Sequence, residues 1–140
     1  MGKRSRFEPR PADAYQTPAE AAAPLLRILE PGTHYIEPCC GEGQLIEHLT
    51  NAGHILVDAV ALLVPTLPFG ARRADARTYQ RPLGVPPATF FITNPPWTRE
   101  VLHSIIDHLR RQAPTWLLLD ADWMHTRQSA PYLRYCRAIV

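Results

Sequence analysis

The sequence predicts an α/β fold: a Rossmann-like, doubly wound, mostly parallel sheet whose C-terminal strands are incomplete. Three observations predict it. Short apolar runs of strand length alternate with segments whose apolar residues recur at helical spacing. The run over 55–63 is apolar except for Asp58, as a strand buried on both faces would be. A glycine turn, Gly41-Glu42-Gly43, falls between the first strand and its helix.

The elements follow in order. A first helix is announced by Thr17 as a cap, Pro18 at the first helical position and Glu20 three residues after the cap, a capping box. Leu25, Leu26, Ile28 and Leu29 supply its apolar side, Pro24 marks a kink or restart, and Pro31-Gly32 ends it. A short strand over 34–37 leads through a turn, 38–43, into a helix over 44–52 with Leu45, Ile46, Leu49 and Ala52 on one side. The strand over 55–63 is closed by Pro65 and Pro68, and a short third strand is expected near 71–74. Residues 81–87 read as loop and 88–93 as a strand ended by Asn94-Pro95-Pro96. An amphipathic helix over 99–112 presents Val101, Leu102, Ile105, Ile106 and Leu109; a buried strand over 115–119 follows, and 136–140 reads as the opening of one more.

Composition narrows the function classes. At 140 residues the chain holds one domain, 15–140, preceded over 1–14 by a flexible basic arm carrying Lys3, Arg4, Arg6 and Arg10. That arm is either a solvated terminus or a segment that touches nucleic acid. A net charge of +2 is compatible with a nucleic-acid partner without demanding one. The most apolar stretch, 55–67, contains Asp58 and Pro65 and falls short of the roughly 20 residues that a membrane span needs. The N-terminus lacks the apolar core of a secretory signal. Three cysteines, Cys39, Cys40 and Cys136, make no disulfide framework, so a reducing, cytoplasmic setting is expected. No histidines or cysteines have zinc spacing, and no metal site is expected.

Three loops carry the chemistry. In an open α/β sheet, ligands bind beyond the carboxyl ends of the strands. The first loop there is Glu37-Pro38-Cys39-Cys40-Gly41-Glu42-Gly43, whose glycines permit a tight turn and close approach of a ligand to the backbone. The second is Ala74-Asp75-Ala76-Arg77, where an acid suits the exocyclic amine of an adenine ring, or is simply a solvated loop residue. The third is Phe91-Ile92-Thr93-Asn94-Pro95-Pro96-Trp97. Two prolines after a buried strand make a rigid exit that holds the Asn94 side-chain oxygen and the Pro95 carbonyl in place. Two fixed acceptors suit a planar amino group, and Trp97 offers a face for a flat base.

At these residues the sequence resembles the class I S-adenosylmethionine-dependent amino-methyltransferases, most closely the DNA adenine-N6 type, small phage and prophage members included. Tyr15-Gln16-Thr17-Pro18 is similar to the N-terminal cofactor motif of those enzymes, and Glu37 to Gly43 to their methionine loop. Asp75 with Ala76 falls where they place the acid that contacts the cofactor adenine, and Asn94 to Trp97 resembles their catalytic tetrapeptide. The motifs span about residues 15–125. The resemblance implies S-adenosyl-L-methionine as cofactor and N6 of adenine in DNA as acceptor. Cytosine N4, RNA adenine or a protein glutamine amide are planar amines that fit the same tetrapeptide. It implies cofactor binding by Tyr15, Thr17, Glu37, Pro38, Gly41, Gly43, Asp75 and Ala76, and catalysis by Asn94, Pro95, Pro96 and Trp97. A flipped base, at a few kcal/mol of unstacking, would stack on Trp97 while Asn94 and Pro95 hold its amine.

Two departures are evident. The acid that binds the ribose hydroxyls stands about 20 residues past the glycine turn in such folds; that position here is Ala61, and Asp58 lies inside the strand. Losing that contact weakens cofactor binding by roughly 1.5–3 kcal/mol unless something replaces it. The second is length: Val140 falls where a sixth strand would only be starting, without the family's closing hairpin or a target-recognition domain. An exposed sheet edge is then expected. A catalytically inactive cofactor-binding remnant is the competing reading.

Overall fold

In the computed structural model, which describes residues 16–140, the chain forms a five-stranded, all-parallel sheet of order β3-β2-β1-β4-β5. The elements run α1 (Ala19–Leu26), β1 (His34–Glu37), α2 (Gln44–Asn51), β2 (Ile55–Ala61), β3 (Arg72–Arg73), β4 (Phe90–Thr93), α3 (Arg99–Leu109), β5 (Thr115–Leu117), a 3-10 turn (Ala121–His125) and α4 (Ala130–Leu133). The strand order reverses direction between β1 and β4, which places the crevice of a doubly wound sheet at their carboxyl ends.

Helices cover both faces, and the period-two alternation of the strands assigns each side chain to one of them. Tyr35, Ala59, Ala61 and Ile92 pack with Ala22, Leu45, Ile46 and Leu49 of α1 and α2. Ile36, Val60 and Phe91 pack with Ile105 and Leu109 of α3 and with Tyr79. The largest of these side chains are withdrawn from solvent, and the Tyr35 hydroxyl, taken down with its ring, donates to the Ile46 carbonyl at 3.3 Å. Cys39 and Cys40 are adjacent in sequence but pack on opposite faces of the sheet.

Several sequence expectations are corrected. Thr17 does not cap α1: the cap residue is Pro18, which makes no side-chain cap hydrogen bond but whose carbonyl accepts from Ala21 N–H at 3.1 Å. The buried Thr17 hydroxyl meets a tertiary partner described below instead. The helix ends at Leu26, with Arg27 as its cap residue, well before Pro31-Gly32, and Pro24 lies inside it. The second strand stops at Ala61, and Leu62 and Leu63 leave the sheet as exposed loop residues. Its first half is only partly buried, because β3 pairs with its last two residues alone. Residues 136–140 form no strand; they lie exposed after α4. The arm over 1–14 and Tyr15 lie outside the described residues. Among the described residues, no helix is long and apolar enough to cross a membrane.

Candidate functional site

At the carboxyl ends of β1 and β4 the structure opens a cavity of about 400 Å³, within the range that holds drug-sized ligands. Its wall is built from the three loops singled out in the sequence, with the segment before α1 and the start of α3. Thr17, Glu37, Pro38, Gly41, Asp75, Ala76, Asn94 and Pro96 all line it. Thr17, before α1, and Asn94, in the third loop, are thus brought together although they stand 77 apart in the chain.

The best-defined polar contact in this wall is between Thr17 and Asn94. The Asn94 side-chain N–H donates to the Thr17 hydroxyl at 3.1 Å, and the Thr17 carbonyl accepts from His48 Nε2 on α2 at 2.9 Å. With its nitrogen turned to Thr17, the Asn94 amide plane is set from outside its own rigid loop. The N-terminal motif and the tetrapeptide are therefore one hydrogen-bonded unit.

The two glycines of the 37–43 loop divide their work. Gly41, at φ +52°, would present an added Cβ to open space, with no protein atom within 4 Å, and it lines the cavity. Gly43, at φ +93°, is the cap residue of α2, and an added Cβ would stand 2.7 Å from Cε2 of Phe69 and 3.1 Å from Cβ of Pro68. Gly43 is buried and outside the cavity wall, so its glycine serves close packing of the 68–70 turn. In that turn Ala71 N–H donates to the Pro68 carbonyl at 2.8 Å across Phe69 and Gly70, both at positive φ.

Glu37 ends β1 with its side chain buried; one oxygen accepts the Cys39 backbone N–H at 3.0 Å. Among the described residues no basic side chain pairs with it. The Thr93 hydroxyl beside it acts to lower its pKa, yet lies outside hydrogen-bond geometry and is buried without a partner. Burial dominates and pushes the Glu37 carboxyl up to about 8. The same burial, with Glu37 nearby, raises the Cys40 thiol to about 12 and the Cys39 thiol further, so both are protonated and unreactive at neutral pH.

Asp75 lines the cavity, but its carboxylate is already engaged. Arg77 binds both its oxygens, with a contact at 2.6 Å, and the Arg77 backbone N–H adds a bond at 2.9 Å. The Arg77 hydrogen bonds hold the Asp75 carboxyl below its usual range. Asp58, the acid of the second strand, sits within β2 opposite Ile36, and accepts from the Tyr79 hydroxyl, Arg72 and the Ala59 N–H. It is a structural acid; Ala61 is the residue that reaches the cavity wall.

Pro95 is buried and Trp97 is exposed, and neither lines the cavity. The Trp97 indole N–H donates to the Leu118 carbonyl past β5 at 3.2 Å, which fixes the ring's edge outside the cavity. Sequence reasoning missed the Gln16–Glu42 hydrogen bond of 2.6 Å, the apolar run Leu62 to Pro65, and Thr98, Val101 and Ile105 of the last wall. The pattern Asp75-Ala76-Arg77 carried a signal for the ion pair, since residues two apart in a turn can meet. Gln16–Glu42 had none, because the contact is purely tertiary.

Electrostatically the wall is one-sided. It contains three acids, Glu37, Glu42 and Asp75, and one base, Arg77, which Asp75 already neutralises. A pyrophosphate, as in dinucleotides, would face the Glu42 carboxylate and the buried Glu37 carboxyl with no free base among the described wall residues to pair it, whereas a ligand carrying positive charge finds partners. Among the described residues no group of three or more His, Cys, Asp or Glu is placed to hold a metal. Comparison of the chain with protein-family models, with curated proteins and with solved structures finds no match.

Proposed function

We propose that this protein is an S-adenosylmethionine-dependent methyltransferase acting on a planar amine, with N6 of adenine in DNA as the leading acceptor. The observation that carries the reading is the Asn94 amide, positioned by Thr17 at the wall of an acid-lined cavity at the switch point of the sheet. The cavity fits the cofactor in character: Gly41 leaves open space where a side chain would stand, apolar residues from Leu62 to Pro65 and Val101 offer a surface for a flat ring, and the carboxyls suit positive charge. Bound there, the cofactor supplies an electrophilic methyl group on sulfur.

The chain's own residues do the rest by positioning and electrostatics. Glu42 attracts the cationic portion, the Glu37 carboxyl balances it once ionised, and the Gly41 turn lets it lie against backbone. Asn94 accepts a hydrogen from the acceptor amine through its side-chain oxygen, the end of the amide turned away from Thr17. That bond directs the nitrogen lone pair away from the base plane. Pro95 and Pro96 prevent the loop from relaxing, which keeps the acceptor within reach. Trp97, its edge tied to Leu118, offers an indole face to an unstacked base outside the cavity.

The test is transfer of a labelled methyl group to adenine-containing duplex DNA by the full chain. The expected result is label on the adenine amine, abolished by Asn94→Ala while S-adenosylhomocysteine binding persists. Equal transfer by that variant refutes the role of Asn94. Binding with no transfer to DNA, RNA or protein assigns the chain a cofactor-binding role alone, the reading that Ala61 at the ribose position favours.

A further inference from the structure

Glu37 combines features that the methyl-transfer reading does not by itself require. Glu37 is 1% exposed even with the cavity empty, yet it belongs to the cavity wall, so its carboxyl is shut off from bulk water and lies within the short-range field of a charge that fills the cavity. Its hydrogen-bond partner is the Cys39 backbone N–H, and the hydroxyl beside it, Thr93, is buried without a partner. An ionised carboxylate at such a place costs several kcal/mol unless a positive charge stands against it. The groups facing it do not supply one. Tyr35 on its own strand and the Cys39 and Cys40 thiols on the next loop are all held neutral by burial. Across Cys39 stands Asp75, already neutralised by Arg77. Its β4 neighbour, Thr93, has no charge to offer.

We propose that Glu37 keeps a proton in the ligand-free cavity and surrenders it when a ligand's ammonium group arrives, so that the site binds cations in exchange for protons. The exchange balances: the carboxyl O–H breaks, its proton leaves to solvent, and the resulting carboxylate is compensated by the incoming ammonium. The proposal rests on the cofactor reading above and adds its regulation. Affinity for a cationic ligand falls about tenfold for each pH unit below the carboxyl's midpoint, because the proton must be removed before the charge pair forms. Burial, by raising that midpoint to about 8, places the dependence across the physiological range. A neutral ligand of the same shape shows no such dependence.

Two measurements on the full chain test this. Carboxyl carbon chemical shifts, followed by magnetic resonance with and without Glu37→Gln to assign the signal, report the ionisation of Glu37 in the ligand-free protein. The expected midpoint lies near 8; a midpoint in the ordinary carboxylate range overturns the proposal whatever binds. Calorimetric titration with S-adenosylhomocysteine at pH 7, in buffers of differing ionisation enthalpy, counts protons released. The expected result is close to one proton per ligand, reduced to near zero in Glu37→Gln, whose affinity is weaker and flat with pH. Binding without proton release, or release unchanged in Glu37→Gln, overturns the exchange and leaves the cofactor reading standing. No binding of S-adenosylhomocysteine at any pH by a folded chain overturns the cofactor reading and the exchange together.

Discussion

Gly43 and Phe69 are coupled through a contact that only a glycine permits. Replacing Gly43 by alanine imposes two costs. The backbone sits at φ +93°, where a residue with a Cβ is strained by about 1–2 kcal/mol. The new Cβ also stands 2.7 Å and 2.9 Å from two carbons of the Phe69 ring, so the ring must shift. Phe69 cannot yield cheaply at its backbone, since it is itself a bulky residue at φ +51° in a two-residue left-handed turn. Its ring is 55% exposed, however, and has room to swing. We therefore expect Gly43→Ala to destabilise the fold by roughly 2–3 kcal/mol, of which about 1 kcal/mol is the ring contact. Urea unfolding of Gly43→Ala, Phe69→Ala and the double variant isolates that part as a coupling energy. Gly41→Ala is the control: its φ of +52° imposes a similar backbone cost, but no protein atom opposes the Cβ. It should show no coupling to Phe69 and instead weaken binding of S-adenosylhomocysteine. A coupling energy near zero for Gly43 and Phe69, or equal coupling for Gly41, refutes the division of labour assigned to the two glycines.

Other outcomes follow from the same geometry. The Glu37 carboxyl, raised by burial from 4.5 to about 8, is neutral in the folded chain where the unfolded chain has already ionised. Its stabilising contribution is thus full below 4.5 and lost as pH rises through 8. Urea unfolding should show wild type losing about 3 kcal/mol more than Glu37→Gln between pH 5 and pH 8; parallel profiles would contradict the burial argument. Thr17→Val keeps shape but removes the acceptor for Asn94, so kcat should fall roughly fivefold, the scale of one hydrogen bond of about 1 kcal/mol, with S-adenosylhomocysteine affinity little changed. Trp97→Phe removes the bond to the Leu118 carbonyl and should raise KM for DNA a few-fold in the same assay without moving cofactor affinity. Leu49, fully buried between α2 and the sheet, should lose about 2–5 kcal/mol of stability as alanine in thermal or urea unfolding.

Most of the architecture was legible in the sequence because it depends on short-range periodicity. The bounds of β1 came out as His34–Glu37, since a strand bracketed by Pro31-Gly32 and Pro38 has little freedom to slide. The cores of α2 and α3 were readable from Leu45, Ile46 and Leu49 and from Leu102, Ile105 and Leu109, all of which the structure buries. Ends were harder. The apolar run after Ala61 reads as strand from hydropathy alone, but Leu62 and Leu63 have no paired neighbour on which to continue the sheet and turn instead to the cavity. The sequence over 136–140 has strand-like residues and no partner strand among the described residues beside it.

By itself, then, the sequence determined the alternation of strands and helices, the two-sided burial of the central strands, and the three loops at their carboxyl ends. Those properties are local: they follow from side-chain spacing, from proline's fixed geometry and from glycine's access to positive φ. Only the tertiary structure decided how the loop residues are employed. Thr17 could cap a helix or hold Asn94, and the meeting of the segment before α1 with the loop after β4 chose the second. Gly41 and Gly43 look alike in the sequence, and the position of Phe69 separates a residue facing the cavity from one facing a packed turn. Asp75 was legible as an acid, but its neutralisation by Arg77 depends on how the loop folds back. Glu37 owes its proton affinity to the layers closed around it, because the cost of an unpaired charge is set by the water and partners that three-dimensional packing removes.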